Sequence, residues 1–387
     1  MATKVSKAAV ERAIDHIIRY GDTDVLPFLP ENTFLSEKRD AITKEVSSLN
    51  LDEFMPMQAV EIISPKSRYG FRIVHQLPLL ETLLFTAAII EIGSSLEKIK
   101  RPKQEFGPFA YRFDPRGSAS LFGEGHSYRD WLQWQFDLLS TEAFDAVIYT
   151  DIADYYQRIY LHRIENILDS ATNKRGINEF ITRLIKQIRS RQSHGIPVGG
   201  SAARVLAEAL LSDTDNALAD EGFEFTRYMD DYRIFVREGQ SAYEILAFMA
   251  EQLATGEGLS LNAHKTRVVS ATTVRTLLAK QLIDVYNEAQ RDAIETLTHA
   301  LYLDEPPDPA DVDKLRSMNL LATLEKEIET EFWDFTKIRT LFLGLRLTEN
   351  DDAVQYLTDR LGTFIPLKTW CCSSILCTKR ESWMLPN

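Results

Sequence analysis

Three carboxylates stand at positions where metal chemistry would need them. Asp151 falls in the β-rich run Ala146 to Ile152, AVIYTDI, and Asp230-Asp231 lies between the β-rich runs FEFTRYM and YRIFV. The pattern reads as an Asp at the end of one strand beside an Asp-Asp pair at the tip of a hairpin. An acidic pair in a tight turn is ordinarily turn chemistry, because Asp tolerates the backbone angles a turn demands. Here bulky β-formers flank the pair on both sides, where a solvent turn favours Asn-Gly or Asp-Gly. Adjacent like charges also repel unless a cation bridges them. Carboxylates aimed at one point can hold two Mg²⁺ ions about 3.5–4 Å apart, the arrangement that steadies an in-line phosphoryl transfer. Mg²⁺ keeps several of its waters, so two or three carboxylates suffice. On these residues alone, a turn and a metal site are both open.

Four segments in order carry a family resemblance. Tyr228-Met229-Asp230-Asp231 resembles the YxDD signature of reverse transcriptases. Asp151-Ile-Ala-Asp-Tyr-Tyr resembles the family's first catalytic motif, and Gly195-Ile-Pro-Val-Gly-Gly-Ser its Gly-rich loop and helix. Leu261-Asn-Ala-His-Lys-Thr resembles the later LNxxKT motif. The resemblance implies an α+β chain with the fingers and palm of a right-hand polymerase, followed by an all-α, repeat-like C-terminal region in place of a thumb. It implies residues 1–110 as N-terminal helices and fingers, 111–275 as palm with part of the fingers at 165–195, and 276–387 as the helical region.

Site roles follow from the same resemblance. Asp151, Asp230 and Asp231, with the backbone carbonyl of Ile152, would ligate Mg²⁺ or Mn²⁺. Tyr156 aligns with the aromatic that closes against the sugar 2′ position. Gly199 would let the backbone approach primer and template, and Lys265 would lie near the triphosphate or leaving pyrophosphate. Gly70-Phe71-Arg72 resembles the element whose Arg grips the incoming triphosphate, assisted by Lys66; a planar guanidinium can bond two phosphate oxygens at once. Plainer readings stand beside these: Tyr156 as core, Lys265 as an exposed cap, Arg72 as a surface ion pair. The chain departs from many relatives in carrying Val198 where they have Gln.

Within the family, RYGDTDVLPFLPE, the Ala110-Tyr-Arg-Phe segment and GIPVGxS look most like bacterial abortive-infection and other defence-associated reverse transcriptases. That likeness implies dNTPs as substrates, a single-stranded DNA product, a homo-oligomer, and synthesis with or without an RNA template. A retron or group II intron enzyme would share the motifs, though Glu325, Glu327, Glu329 and Glu331 make residues 320–366 unlike a basic thumb. An RNA-copying RNA polymerase would be expected to carry Gly-Asp-Asp and a smaller residue at 156, and a cyclic-nucleotide synthase would lack LNxxKT. The non-enzyme alternative is an inactive polymerase-like scaffold, against which the intact carboxylates speak.

Positioning these residues requires particular elements. Helices are expected over residues 8–20, around Ser36 to Leu49, over Leu79 to Ile99, Trp131 to Leu139 and Ser201 to Leu211, from apolar spacing at 3.6 residues. Pro65 to Val74 reads as a basic loop or hairpin bent at Gly70. Polar helical sequence follows Ile152 through Leu168, and a mostly helical pattern begins near Thr273, broken at Pro306, Pro307 and Pro309. Leu341 to Leu347 places Leu341 and Leu345 on one helical face and Leu343 and Leu347 nearly opposite, or else marks a short strand.

Composition bounds the rest. The chain has 387 residues, 44% hydrophobic and 26% charged, enough for two or three cooperating domains. Its net charge of −13 argues against a passive nucleic-acid coat but not against a nucleic-acid enzyme, because charge acts locally, within about 8 Å at physiological salt. Lys174, Arg175, Arg183, Lys186, Arg189 and Arg191 face the single acid Glu179 in one stretch, which reads as either a solvated helix face or a nucleic-acid contact. The longest apolar candidate, Leu77 to Ile92, is interrupted by Glu81, Thr82 and Glu91, so no membrane span is expected. The N-terminus reads as an amphipathic helix stopped by Gly21 and not as a signal peptide, which predicts a cytoplasmic protein. Cys371, Cys372 and Cys377 crowd the C-terminal end without disulfide or zinc spacing.

Overall fold

The computed structural model describes residues 2–22, 31–65, 70–117, 119–188, 193–284, 316–317, 319–328, 341–342, 344–345 and 351–359, with single positions at 313, 338 and 348. Two compact units divide the chain. One comprises Met1–Thr23, Leu29–Val60 and His75–Ile283; the other comprises Asp24–Phe28, Glu61–Val74 and Asp284–Asn387.

The first unit is organised on a four-stranded antiparallel sheet. Its strands are β3 (Ala146–Asp151), β4 (Glu224–Tyr228), β5 (Asp231–Val236) and β6 (Arg267–Ser270), in the order β4-β5-β3-β6. Asp151 pairs with Asp231 and Ala146 with Val236, while Ala146 pairs with Ser270 on the other side. Alternation then sends Ile148, Tyr232 and Ile234 to one face and Val147, Tyr149, Phe235 and Val269 to the other. The first set joins the larger core, and the second joins a smaller one built on Phe109, Trp131, Leu132 and Val274.

Helices cover both faces. On the larger core lie α1 (Lys7–Tyr20), α4 (Leu79–Lys98), α7 (Leu161–Ala171), α8 (Arg175–Ile188), α9 (Ser201–Leu210), α10 (Ser212–Asp220) and α11 (Ala242–Gln252). The smaller core is covered by α5 (Tyr128–Leu139) and α12 (Ala271–Asp284). The ends are chemically specified: Ser6 Oγ accepts from Ala9 N to start α1, and Gly21 ends it at φ 76°. A reciprocal box between Ser127 and Asp130 starts α5.

Helix α4 is long and apolar enough to cross a membrane, yet 67% of its most apolar window is buried inside the fold. It is a core helix. Leu83, Leu84, Phe85, Ile89, Ile92 and Leu96 are all inside, each contributing roughly 1.5–3 kcal/mol. Its three acids have partners: Glu81 Oε1 accepts from Met57 N at 2.9 Å, Glu91 pairs with Lys174 at 2.5 Å, and Glu97 pairs with Lys100 and Arg112 at 2.5 Å.

Two stretches expected as continuous helix are broken. Ser36 to Leu49 divides into α2 (Asn32–Glu37) and α3 (Arg39–Ser48) at Lys38, whose ψ of 21° leaves the helical range, so that Leu35 and Val46 can both turn inward. After Ile152 the chain forms a single turn, α6 (Tyr155–Arg158), and then α7. The extended Ile159 between them lets its carbonyl accept from Gly195 N at 2.6 Å, docking the Gly-rich loop.

Strand β1 (Val60–Pro65) pairs with β2 (Phe71–Gln76) in a separate two-stranded sheet, and residues 66–69 of the expected loop or hairpin lie outside the described residues. In the second unit, α13 (Leu320–Ile328) and α14 (Asp351–Asp359) are helical. Positions 341–342 and 344–345 are helical too, which excludes the strand reading there, and Leu341 and Leu345 are buried. Leu343, Leu347, the three prolines, the acids from Glu329 to Glu331 and the cysteines lie outside the described residues.

Candidate active site

The hairpin turn is the part of the site under most constraint. Met229 and Asp230 are its two central residues, and Met229 sits at φ 58°, a left-handed conformation costing a non-glycine residue roughly 1–2 kcal/mol. Three hydrogen bonds hold this backbone. Met229 N donates to Glu208 Oε1 at 3.2 Å, Arg227 Nη1 donates to the Met229 carbonyl at 3.1 Å, and Ile152 N donates to the Asp230 carbonyl at 3.2 Å.

Behind the turn lies a buried ionic cluster. Arg227, Glu208 and Asp215 are all fully enclosed. The Arg227 guanidinium meets Asp215 at 2.8–2.9 Å and Glu208 at 2.5 Å, and Tyr232 Oη donates to Asp215 at 2.9 Å. Burial pushes the Glu208 carboxyl up, a shift that Arg227 opposes. Sequence reasoning passed over this cluster, although a signal was present. Arg227 follows the inward Phe225 by two on β4, and Glu208 interrupts the apolar run of α9, so both charges occupy inward positions.

The carboxylates themselves are drawn to one end of the sheet. Asp151 is 5% exposed at the end of β3, directly across from Asp231. Asp230, in the adjoining turn, has its carboxyl raised to about 7, by burial first and then by the charges of Asp151 and Asp231. Apart from its own backbone N–H, the Asp230 carboxylate has no hydrogen-bond or ion-pair partner among the described residues. Asp231 is more open, its side chain 42% exposed and 3.8 Å from Arg233. Such a set of hard, mutually repelling oxygen donors fits a divalent cation of the Mg²⁺ type.

The LNAHKT segment folds over the end of β3. Asn262 N donates to the Asp151 carbonyl at 2.7 Å, Asn262 Nδ2 reaches its carboxylate at 3.2 Å, and Ala153 N donates to Ser260 O at 2.9 Å. Lys265 Nζ ion-pairs with Asp151 at 3.0 Å. Burial would lower this ammonium, but its bond to Asp151 and the fields of all three carboxylates outweigh that and raise it. The Lys265 side chain is half exposed and adjoins the carboxylate cluster through Asp151.

The remaining candidates are placed as follows. Tyr156 is half-buried beside the turn, its hydroxyl 4.0 Å from Met229 Sδ and pushed well above the usual tyrosine range by burial. Its carbonyl accepts from Ile196 N at 2.9 Å, tying the Gly-rich loop to it. Ile152 is buried, bridged to Leu261. Gly199 has φ 101°, which a side chain would strain. Arg72 lies on β2 in the second unit, and Lys66 lies outside the described residues. Three bases of the basic stretch have protein partners: Lys174 pairs with Glu91, the exposed Arg175 with Glu179 at 2.8 Å, and Arg183 donates to the Leu51 carbonyl. Lys186 is exposed, and Arg189 and Arg191 lie outside the described residues.

The reverse transcriptase (RNA-dependent DNA polymerase) family matches residues 93–304, a span holding Asp151, Tyr156, Gly199, Asp230, Asp231 and Lys265. Among solved structures, the chain is similar to telomerase from Candida albicans in complex with a fragment of telomeric RNA, at 11% identity and a TM-score of 0.44. It covers 92% of this chain and 66% of that one. Apo telomerase from Candida tropicalis is similar at 13% identity and a TM-score of 0.44, covering 91% of this chain and 68% of that one. No curated protein matches the sequence. With a family match over more than half its length, and with the family's carboxylates gathered at one end of an antiparallel sheet, the chain belongs to the reverse transcriptase (RNA-dependent DNA polymerase) family.

Proposed function

We propose that the protein is a DNA polymerase of the reverse-transcriptase type, adding dNTPs to a growing strand at the Asp151–Asp230–Asp231 end of the sheet. The observation that carries this reading is the register: Asp151 opposes Asp231, and the Asp230 turn is hydrogen-bonded to the residue after Asp151. Asp151, Asp230 and Asp231, with the carbonyl of Ile152, are the groups that would hold the divalent cations. When bound, Mg²⁺ or Mn²⁺ would supply neutralisation of the charge that develops on the attacking and leaving oxygens. Asn262 orients Asp151, and Lys265, already within the carboxylate field, balances anionic charge at the same point. Tyr156 stands beside Met229 where a ring could exclude a 2′-hydroxyl, and the Gly-rich loop bonded to its carbonyl supports the adjoining base pair. Arg72 and Lys66 are assigned to the incoming triphosphate on the family resemblance.

In this reading residues 1–110 are N-terminal helices and fingers, 111–275 are palm with part of the fingers at 165–195, and the helical region 276–387 replaces a thumb. A role in bacterial anti-phage defence, synthesis that dispenses with a template, a cytoplasmic location and self-assembly rest on the likeness to abortive-infection enzymes. Light scattering across micromolar concentrations tests the assembly, and a protein that stays monomeric refutes it. The function itself is tested by incubating purified protein with each dNTP, with and without added nucleic acid, in Mg²⁺ or Mn²⁺. Incorporation is expected, and its loss by several orders of magnitude in a folded Asp230→Asn, Asp231→Asn variant. Near-normal synthesis by that variant refutes the assignment.

A further inference from the structure

A cavity of about 30 Å³ lies among α1, α4 and the start of α9, and His16, Thr82 and Thr86 line it. His16 is 3% exposed. Its Nδ1 is 2.9 Å from the Ala119 carbonyl, which can only accept, so Nδ1 carries the ring hydrogen and Nε2 is a bare acceptor. That Nε2 is buried without a hydrogen-bond partner. Burial lowers the ring to about 4, with Arg12 and Arg204 adding to the effect and the Ala119 bond opposing it, so His16 is neutral. Thr82 and Thr86 stand one turn apart on α4 and share a face. Both are buried, and neither hydroxyl has a hydrogen-bond partner among the described residues.

The second half of the Gly-rich loop forms another wall, with Val198 on it at the position where many relatives carry Gln. The first half of that loop is tethered, Gly195 N to the Ile159 carbonyl and Ile196 N to that of Tyr156. From Val198 to Ala203 no backbone N–H has a hydrogen-bond partner among the described residues, and Gly200 begins α9 without a side-chain cap. The packing is close all the same: a Cβ at Gly200 would stand 3.2 Å from the Asp22 carbonyl, just beyond α1. Buried donors and acceptors left without partners are costly, and water satisfies them where a polar cavity offers at least roughly 10–15 Å³. Asp22 also lines the cavity, but its carboxylate accepts from Gln76. The positive end of α9, with Arg12 and Arg204 near His16, disfavours a cation, and the Nε2 lone pair disfavours an anion. A small neutral molecule that both donates and accepts is what fits.

We infer that one or two ordered waters occupy this cavity, accepting from the first N–H groups of α9, donating to His16 Nε2 and completing their bonds on Thr82 and Thr86. Through them His16 is a positioning residue. It ties the second half of the Gly-rich loop to α1, as the Ile159 and Tyr156 carbonyls tie the first half to α6. The water site stands on the fold alone. Its consequence for nucleotide addition rests on the polymerase reading above, in which this loop supports the base pair beside Tyr156.

The test compares the full chain with Thr86→Val, which keeps the branched shape and removes only the hydroxyl, and with Thr86→Ser, which keeps the hydroxyl. In the isotopically labelled wild type, cross-relaxation from water is expected at the Ala202 and Ala203 amides, and the His16 Nε2 resonance at its hydrogen-bonded position. Thr86→Val should move that resonance toward the free value and lower Tm by about 2–4 °C, whereas deleting a hydroxyl from a dry cavity would leave Tm unchanged or raise it. It should also raise the dNTP KM several-fold with less change in kcat, and Thr86→Ser should restore both the resonance and KM. Absence of the water signal, or a Thr86→Val Tm at or above wild type, overturns the water site. So does an Nε2 resonance that shifts on adding chelator, which would mark a metal ion. Wild-type KM in a Thr86→Val protein that has lost the water signal overturns the positioning role. A hydrated cavity in a protein that incorporates no dNTP overturns the polymerase reading alone.

Discussion

Replacing Arg227 with Leu would strand two carboxylates in the interior. Glu208 and Asp215 are as fully buried as Arg227 itself, and Arg227 supplies four of the hydrogen bonds between them. Removing one member of a buried ionic group typically costs about 3–5 kcal/mol, because the partners remain desolvated. Arg227 Nη1 also bonds the Met229 carbonyl, so the left-handed turn loses one of its three restraints. At roughly 2–4 °C per kcal/mol for a unit of this size, Tm should fall by on the order of 10 °C at pH 8.

The pH dependence has a definite sign. Burial already raises Glu208 in the intact protein, and loss of Arg227 raises it further. A carboxyl whose folded pKa lies above its unfolded value destabilises fully above the folded pKa, and the penalty fades as pH falls toward the unfolded one. The deficit of Arg227→Leu should therefore narrow between pH 8 and pH 5. Glu208→Gln keeps an oxygen for the Met229 N–H and strands no charge, so it should cost much less. Calorimetry at the two pH values, with incorporation kinetics on the folded fraction, measures all of this. We expect kcat to fall more than dNTP KM rises, and Met229→Gly to recover part of the kcat lost in Glu208→Gln, since glycine adopts φ 58° without strain. An Arg227→Leu protein with wild-type Tm at pH 8, or a deficit that widens on acidification, would show that the cluster does not hold the turn.

Tyr156→Ala should raise ribonucleotide use relative to deoxynucleotide use in competition assays; an unchanged ratio in an active enzyme removes Tyr156 from the sugar pocket. Asp230→Asn should raise Tm in chelator while abolishing synthesis, because it relieves the repulsion from Asp151 and Asp231, and a lowered Tm contradicts that account. Ser127→Ala removes one half of the α5 capping box and should cost about 1 kcal/mol in denaturant unfolding without altering the m-value.

The strand that ends at Asp151, the acidic hairpin and the helices that flank them were legible in the chain because each depends on neighbours a few residues away. Alternation through AVIYT and FEFTRYM places strands, and an Asp-Asp between β-formers places the turn, whatever the rest of the chain does. The Ser6 and Gly21 caps mark α1 in the same local way. Distant partners decided the rest. A charge such as Arg227, inward-facing on a strand, needs buried counter-ions, but only packing of α9 and α10 behind β4 names them as Glu208 and Asp215. The breaks at Lys38 and Ile159 follow from burial and from docking of the Gly-rich loop, which local helix spacing does not encode. Among the bases at 174–183, which the sequence left open between a solvated face and a nucleic-acid contact, the fold brought Lys174 to Glu91 and Arg183 to the Leu51 carbonyl. Arg233 and Arg267, 34 residues apart in number, became neighbours only through their common partner Tyr149. Backbone periodicity acts over one turn of helix or one pleat, whereas burial, ion pairing and charge convergence act through space, and only the folded chain brings those groups within reach of one another.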